Sequence, residues 1–185
     1  MGCDRRSMAD DILLPAGVVP NSAGVLNSFV IVDDAAGLME FVTDVFGASE
    51  TAEARADTPD GKIIHSEIRM GSNDLMLVDR LEGWPLRPGL LQVWVTDVRV
   101  VLDRATARGA EVITDPTPFW GETTLARMLD RWQNIWWLWA PAPGQPGPEY
   151  ATEDDPNDIF GSIDRTLRAM KDRDADLNGD RNAAR

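Results

Sequence analysis

His65, Glu67 and Arg69 alternate along the run Ile63-Ile64-His65-Ser66-Glu67-Ile68-Arg69-Met70. On a strand, alternate side chains share a face, so an imidazole, a carboxylate and a guanidinium line up together. Ile64, Ile68 and Met70 then take the other face. His65 is the only histidine of the chain, and an imidazole moves protons near neutral pH. Glu67 would orient that ring, or be held ionised by Arg69. The trio is therefore the candidate catalytic group. A solvent-facing strand edge alternates in the same way, so spacing alone leaves both readings open.

The seven tryptophans are the second chemical feature. In the run Asn134 to Ala140, Ile135, Trp137 and Trp139 share one face, and Trp136 and Leu138 the other. Trp120 sits in a Phe-Trp-Gly loop. Indole walls stack flat ligands, and each adds one N–H donor at its edge. Trp94 and Trp136 read as core behind the sheet. Asp174 to Gly179 matches the start of a calcium-binding EF-hand loop. Its twelfth position is Arg185 rather than glutamate, so the match reads as chance in an acidic tail.

These groups must be positioned by two similar half-sequences that meet near residue 85. In the first half, Leu26–Val32 predicts a strand ended by two aspartates. Ala35, Leu38, Met39, Val42, Val45 and Phe46 recur at helical spacing, with Asp34 as cap and Gly47 as stop. Ser49–Ala56, Lys62–Met70 and Asp74–Arg80 predict three more strands, with the Pro59-Asp60-Gly61 turn between the first two. The second half repeats the order. Leu90–Thr96 is a strand, Val98, Val101, Leu102 and Ala105 line a helix ended at Gly109, and Glu111–Thr114, Thr123–Leu129 and Asn134–Ala140 are strands. Pro116–Gly121 reads as a loop. Each half is βαβββ.

The predicted organisation is a flexible leader (1–21), a first module (22–84), a second module (85–140), a Pro/Gly-rich linker (141–155), a helix (156–171) and a disordered tail (172–185). The helix carries Ile159, Phe160, Ile163, Leu167 and Met170 on one stripe, which must cover apolar surface of this chain or of a partner. A net charge of −13 argues against nucleic acid or an anionic membrane surface as partner. One cysteine, Cys3, gives neither a disulfide framework nor a thiolate metal cluster. No run has the length of a membrane span. Met1-Gly2-Cys3 fails as a lipidation signal because Arg6 stands where Ser or Thr is needed. A soluble, cytoplasmic protein is expected, starting at Met1 or Met8.

Two βαβββ halves, the Val-x-Asp strand ends Val30–Asp34 and Val93–Asp97, and the Phe119-Trp120-Gly121 loop resemble the vicinal oxygen chelate superfamily. That group includes glyoxalase, bleomycin-resistance and extradiol-dioxygenase proteins. The run Gly61 to Ile68, followed by Leu75-Met76-Leu77-Val78-Asp79, is similar to its PhnB-like branch. The resemblance implies an α+β fold in which both modules form a concave mixed-sheet cup, with pairing of chains into homodimers. It also implies a divalent metal held by His and Glu from four strands. Those positions fall here on Asn27, Met76, Leu91 and Trp137, none of which supplies a carboxylate or an imidazole. The branch's Asp-Pro-Phe-Gly-His-x-Trp motif is matched by Asp130 to Trp136, with Arg131 for proline and Asn134 for histidine.

The expectation is a cup without metal or cofactor that holds a small molecule against Asn27, Met76, Leu91, Trp120, Trp137 and Trp139. A binding protein of the resistance type is one outcome. A metal-independent lyase or isomerase working through His65 and Glu67 is another. A metal-dependent lyase, isomerase or dioxygenase is a third, and a dimer with its pocket closed by tryptophan packing a fourth.

Overall fold

The structure, a computed structural model, describes residues 26–148 and 158–183. The expected leader, with Cys3 and both candidate starts, and most of the acidic stretch before the last helix lie outside the described residues. The chain divides into two compact units, residues 1–87 and 88–185.

In the first unit, strand β1 (Ser28–Val32) leads into helix α1 (Ala35–Phe46). Asp34 caps the helix by accepting from the Gly37 amide at 3.0 Å, and Gly47 ends it at φ 70°. Strands β2 (Ser49–Glu50), β3 (Ala56–Asp57), β4 (Ile63–His65), β5 (Glu67–Met70) and β6 (Asn73–Asp79) follow. The main sheet has the order β1-β6-β5-β2, and β3 pairs with β4 apart from it. β1 runs parallel to β6, and β5 antiparallel to it. Val30, Val32, Leu75, Leu77 and Ile68 are buried on one face, the side that α1 covers. Asp79 fastens this arrangement, because one oxygen accepts from the Ala35 amide and the other from the Ile63 amide, both at 2.8 Å.

The expected strand from Lys62 to Met70 is broken at Ser66. The Ser66 hydroxyl donates to the Leu77 carbonyl at 2.6 Å, and the Leu77 amide donates back to the Ser66 carbonyl at 3.2 Å. Ser66 thereby exchanges both bonds with β6 and separates β4 from β5. The expected strand from Ser49 to Ala56 is likewise reduced to two short pieces around a 3-10 turn at Ala52–Ala54.

The second unit holds β7 (Leu90–Trp94), α2 (Val98–Thr106), β8 (Glu111–Pro118), β9 (Thr123–Leu129), β10 (Ile135–Pro141) and α3 (Ile159–Ala183). Its sheet order, β7-β10-β9-β8, repeats the βαβββ plan with the same parallel first pairing. Strand β8 runs on through Pro116 and Pro118, which were expected in a loop. It is an edge strand with register shifts between Val112 and Thr117, where missing amide donors are tolerated. α2 lies over the face where Trp136, Leu138, Ala126 and Met128 are wholly buried. α3 packs near β8, and its Ile159 is buried with Phe119, Leu125 and Trp139 on the other face. Helical backbone continues to Ala183, past the expected end at 171. No proline interrupts it, and charges of both signs alternate at helical spacing, as in the 2.7 Å contact of Arg168 with Asp164. The EF-hand-like segment is part of this helix and does not form a loop.

The Pro/Gly-rich run after β10 is docked as far as it is described. The Ala142 amide donates to the Glu122 carbonyl at 2.8 Å, Gly147 to Gly121 at 2.7 Å, and Trp120 to Pro148 at 2.9 Å. A Cβ on Gly147 would lie 2.3 Å from the Phe119 nitrogen, so only glycine permits this approach.

Candidate functional site

On the first sheet, register pairs Met76 of β6 with Phe29 of β1 and with Glu67 of β5, which places all three on the face opposite α1. Arg69 pairs with Asp74 on the same face. His65 Nε2 lies 3.4 Å from Glu67 Oε1, with both side chains partly exposed. Arg69 grips the buried Asp74 through two contacts, Nε to Oδ1 at 2.5 Å and Nη2 to Oδ2 at 3.1 Å. The expected trio therefore shares a neighbourhood, as a histidine–glutamate pair beside an arginine that holds an aspartate. Asn27 accepts from the Asp74 amide at 3.3 Å.

The second sheet carries the aromatic groups. Trp137 and Trp139 share the face opposite α2, their register partners being Arg127 and Leu125 on β9 and Gln92 and Trp94 on β7. Trp139 stacks on Trp94 at 5.8 Å, on Phe119 at 6.0 Å and beside Trp137 at 6.3 Å between ring centroids. Trp94 is thus not core behind the sheet. It is 62% exposed and lies at the open end of this aromatic row. Trp136 is fully buried, as expected, and donates to Asp130 at 2.8 Å. Trp120 is 59% exposed on its loop, with φ 52°.

Arg127 is the residue that pattern reading overlooked. Its side chain is wholly buried, and its guanidinium carbon sits 3.8 Å above the Trp137 ring centroid. Nη1 donates to Thr114 Oγ1 at 3.1 Å and to the Ile159 carbonyl at 2.6 Å. The Thr114 and Ser162 hydroxyls bond at 2.7 Å, closing a small network under the first turn of α3. Among the described residues, Nε and Nη2 have no hydrogen-bond partner, nor do the buried indole nitrogens of Trp137 and Trp139. Burial pulls the guanidinium pKa down to about 10, which leaves it charged at neutral pH. A signal was present in the sequence: Leu125-Ala126-Arg127-Met128-Leu129 places one cation in an apolar strand, on the Trp137 face.

Asp130 was also missed as an organiser. Oδ1 accepts from the Trp132 and Asn134 amides, and Oδ2 from the Asn134 side chain and the Trp136 indole, all within 2.9 Å. Burial raises its carboxyl above the usual range while these donors pull the other way. Asn134 in turn accepts from the Gly89 amide at 2.8 Å, fixing the start of β7.

The sequence profile of the Glyoxalase/Bleomycin resistance protein/Dioxygenase superfamily matches residues 24–138, which span both modules. The chain belongs to this superfamily. An uncharacterized protein of Mycobacterium bovis is 32% identical over 114 residues, covering 55% of this chain and 74% of that protein. A glyoxalase/bleomycin resistance protein/dioxygenase family enzyme from Burkholderia phytofirmans superposes with a TM-score of 0.50 at 18% identity, over 62% of this chain and 96% of that one. The genomically encoded fosfomycin resistance protein FosX from Listeria monocytogenes gives 0.52 at 16% identity, over 66% and 96%. At such identities the structures share the fold. α3 lies outside the part of the chain that the superfamily profile matches.

For a superfamily member, the four expected metal positions are poorly equipped. Asn27, Met76, Leu91 and Trp137 offer one amide, one thioether and two side chains that bind no hard cation. Leu91 pairs with Trp136, so it turns to the α2 side and is not brought together with Trp137; Gln92 is the β7 residue on that face. Among the described residues, no three His, Cys, Asp or Glu side chains come together to hold a metal ion.

Proposed function

We propose that this superfamily member binds a small aromatic or amphipathic organic molecule, with its inherited metal site degenerate. The observation that carries the reading is the row Trp94–Trp139–Trp137 with Arg127 beneath it, on a sheet face open at Trp94. Flat apolar ligands gain most from such surfaces. Sequestration would parallel the resistance proteins in the superfamily's name, and FosX, similar in fold, is a fosfomycin resistance protein. Trp120 is a further proposed contact of this ligand, and Asn27 and Met76 are proposed contacts within the first module by itself; Leu91, which faces α2, is not one.

The test joins metal content to ligand binding. Protein grown with Mn, Fe, Ni and Zn, and purified without chelator or nickel resin, is expected to carry substoichiometric metal. Neutral 2-naphthamide is expected to bind in calorimetry, with Trp137→Ala weakening it about tenfold. One tightly held metal per chain, or binding indifferent to Trp137, would overturn the reading.

A metal-independent enzyme is the second reading, favoured by the 3.4 Å approach of His65 to Glu67. Under it, Glu67→Gln loses turnover while ligand binding is kept. We also propose a cytoplasmic homodimer joined through α3, where Phe160 and Leu167 are exposed while Ile159 is buried in its own chain. A monomeric mass in light scattering at micromolar concentration would count against pairing.

A further inference from the structure

In this chain, three arginines can be compared by what their Nε–Nη2 edge holds. Arg80 presents that edge to the carboxylate of Asp33, at 2.9 and 2.8 Å. Arg69 presents it to Asp74, at 2.5 and 3.1 Å. Arg127 is more deeply buried than either, and the same edge meets no acceptor among the described residues. A guanidinium taken out of water with two donors unpaired is costly unless an anion completes it. The parallel Nε–H and Nη2–H bonds of this edge match the two oxygens of a carboxylate.

The surroundings favour negative charge in two further ways. Nη1 is already committed to Thr114 and to the Ile159 carbonyl, so the unfilled edge is the one suited to bidentate binding. Ile159 is also the first residue of α3, so the positive end of a long helix lies beside the guanidinium. The guanidinium and the positive end of α3 meet here, and beyond the two oxygens that Nη1 reaches, the ring of Trp137 faces the cation. The unpartnered indole N–H groups of Trp137 and Trp139, on the same face, are further donors.

We propose that the Nε–Nη2 edge of Arg127 receives the carboxylate of an aromatic acid whose ring lies against the tryptophan row. The inference rests on the ligand-binding reading above and narrows it to an acid. Because Arg127 is wholly buried, the acid reaches it only when the first turn of α3 lifts. The Ile159 carbonyl, the Ser162–Thr114 hydroxyl pair and the packing of the Ile159 side chain on Phe119, Leu125 and Trp139 hold this turn down.

The test compares 2-naphthoate with 2-naphthamide by calorimetry on the full-length protein, with acetate as the anion that lacks a ring. Wild type is expected to bind naphthoate about tenfold or more tighter than naphthamide. Arg127→Met, which removes the charge but keeps an unbranched apolar stem, should abolish that preference. Arg127→Lys retains a charge without the two-pronged edge and should lose most of it. Failure of the aromatic reading with the anion site intact would show as naphthoate and acetate binding alike, both dependent on Arg127. The absence of any Arg127-dependent preference for an acid overturns the proposal, whether both naphthalenes bind equally or neither binds. Circular dichroism of Arg127→Met confirms that the comparison is made on folded protein, and loss of its fold would move the decision to Arg127→Lys.

Discussion

Two buried charged residues in the second module have opposite electrostatic situations. Asp130 is surrounded by donors: two amides, a side-chain amide and an indole complete its lone pairs. Its charge organises the turn between β9 and β10. Replacing it by asparagine keeps the size but points an NH2 group at donors and leaves at least one of them unmet. Asp130→Asn is expected to destabilise the fold by about 2 kcal/mol, measured by urea unfolding followed at the tryptophans; a change within a few tenths would mean the hub is not structural. Arg127 is the reverse case, a cation whose carboxylate-matching edge is unused. Removing it should relieve a desolvation penalty, so Arg127→Met is expected to raise the melting temperature.

At the scale of elements, the β9–β10 connection departs from the motif it resembles. Gln133 stands where the branch pattern has glycine, and its backbone is left-handed at φ 73°. Side chains other than glycine are strained there, while glycine loses more entropy on folding. The balance predicts that Gln133→Gly stabilises by about 0.5–1 kcal/mol. Denaturant titration reads this directly, and a destabilised variant would show that the Gln133 side chain makes up the strain through its own contacts. The break at Ser66 is a second local event with consequences for the site. It divides the strand that sequence alternation treats as continuous, and the His65–Glu67 contact spans that break.

For the whole molecule, charge sets how a ligand arrives. A net charge of −13 repels anions at long range, whereas a buried pair with Arg127 is shielded from salt. If the ligand is an acid, its association rate should rise a few-fold, roughly, as ionic strength is raised, and that of the neutral amide should not. Stopped-flow tryptophan quenching with 2-naphthoate and 2-naphthamide measures both. An acid whose association slows with salt would indicate a local positive entrance strong enough to outweigh the global field. No helix among the described residues is long and apolar enough to cross a membrane.

The two-module plan, the caps of α1 and the alternation of Trp136 against Trp137 were legible in the sequence, because helical and strand periodicities and capping chemistry are local properties. The faces of β10 and the nearness of His65 to Glu67 could be placed on the same grounds. Register was not legible. Leu91 was expected beside Trp137, and a pairing of Leu91 with Trp136 puts it on the opposite face, since a one-residue offset in a strand reverses every side chain. Trp94 was read as core because a tryptophan in an apolar strand is usually buried, and only the sheet order shows it at the open end of a stack. The role of Arg127 depends on Thr114, Trp137 and Ile159, residues far apart in the chain. Composition and spacing determined the order of elements in the two modules and the faces of α1 and β10; long-range packing alone decided the face of β7 residues and which charge lies under α3.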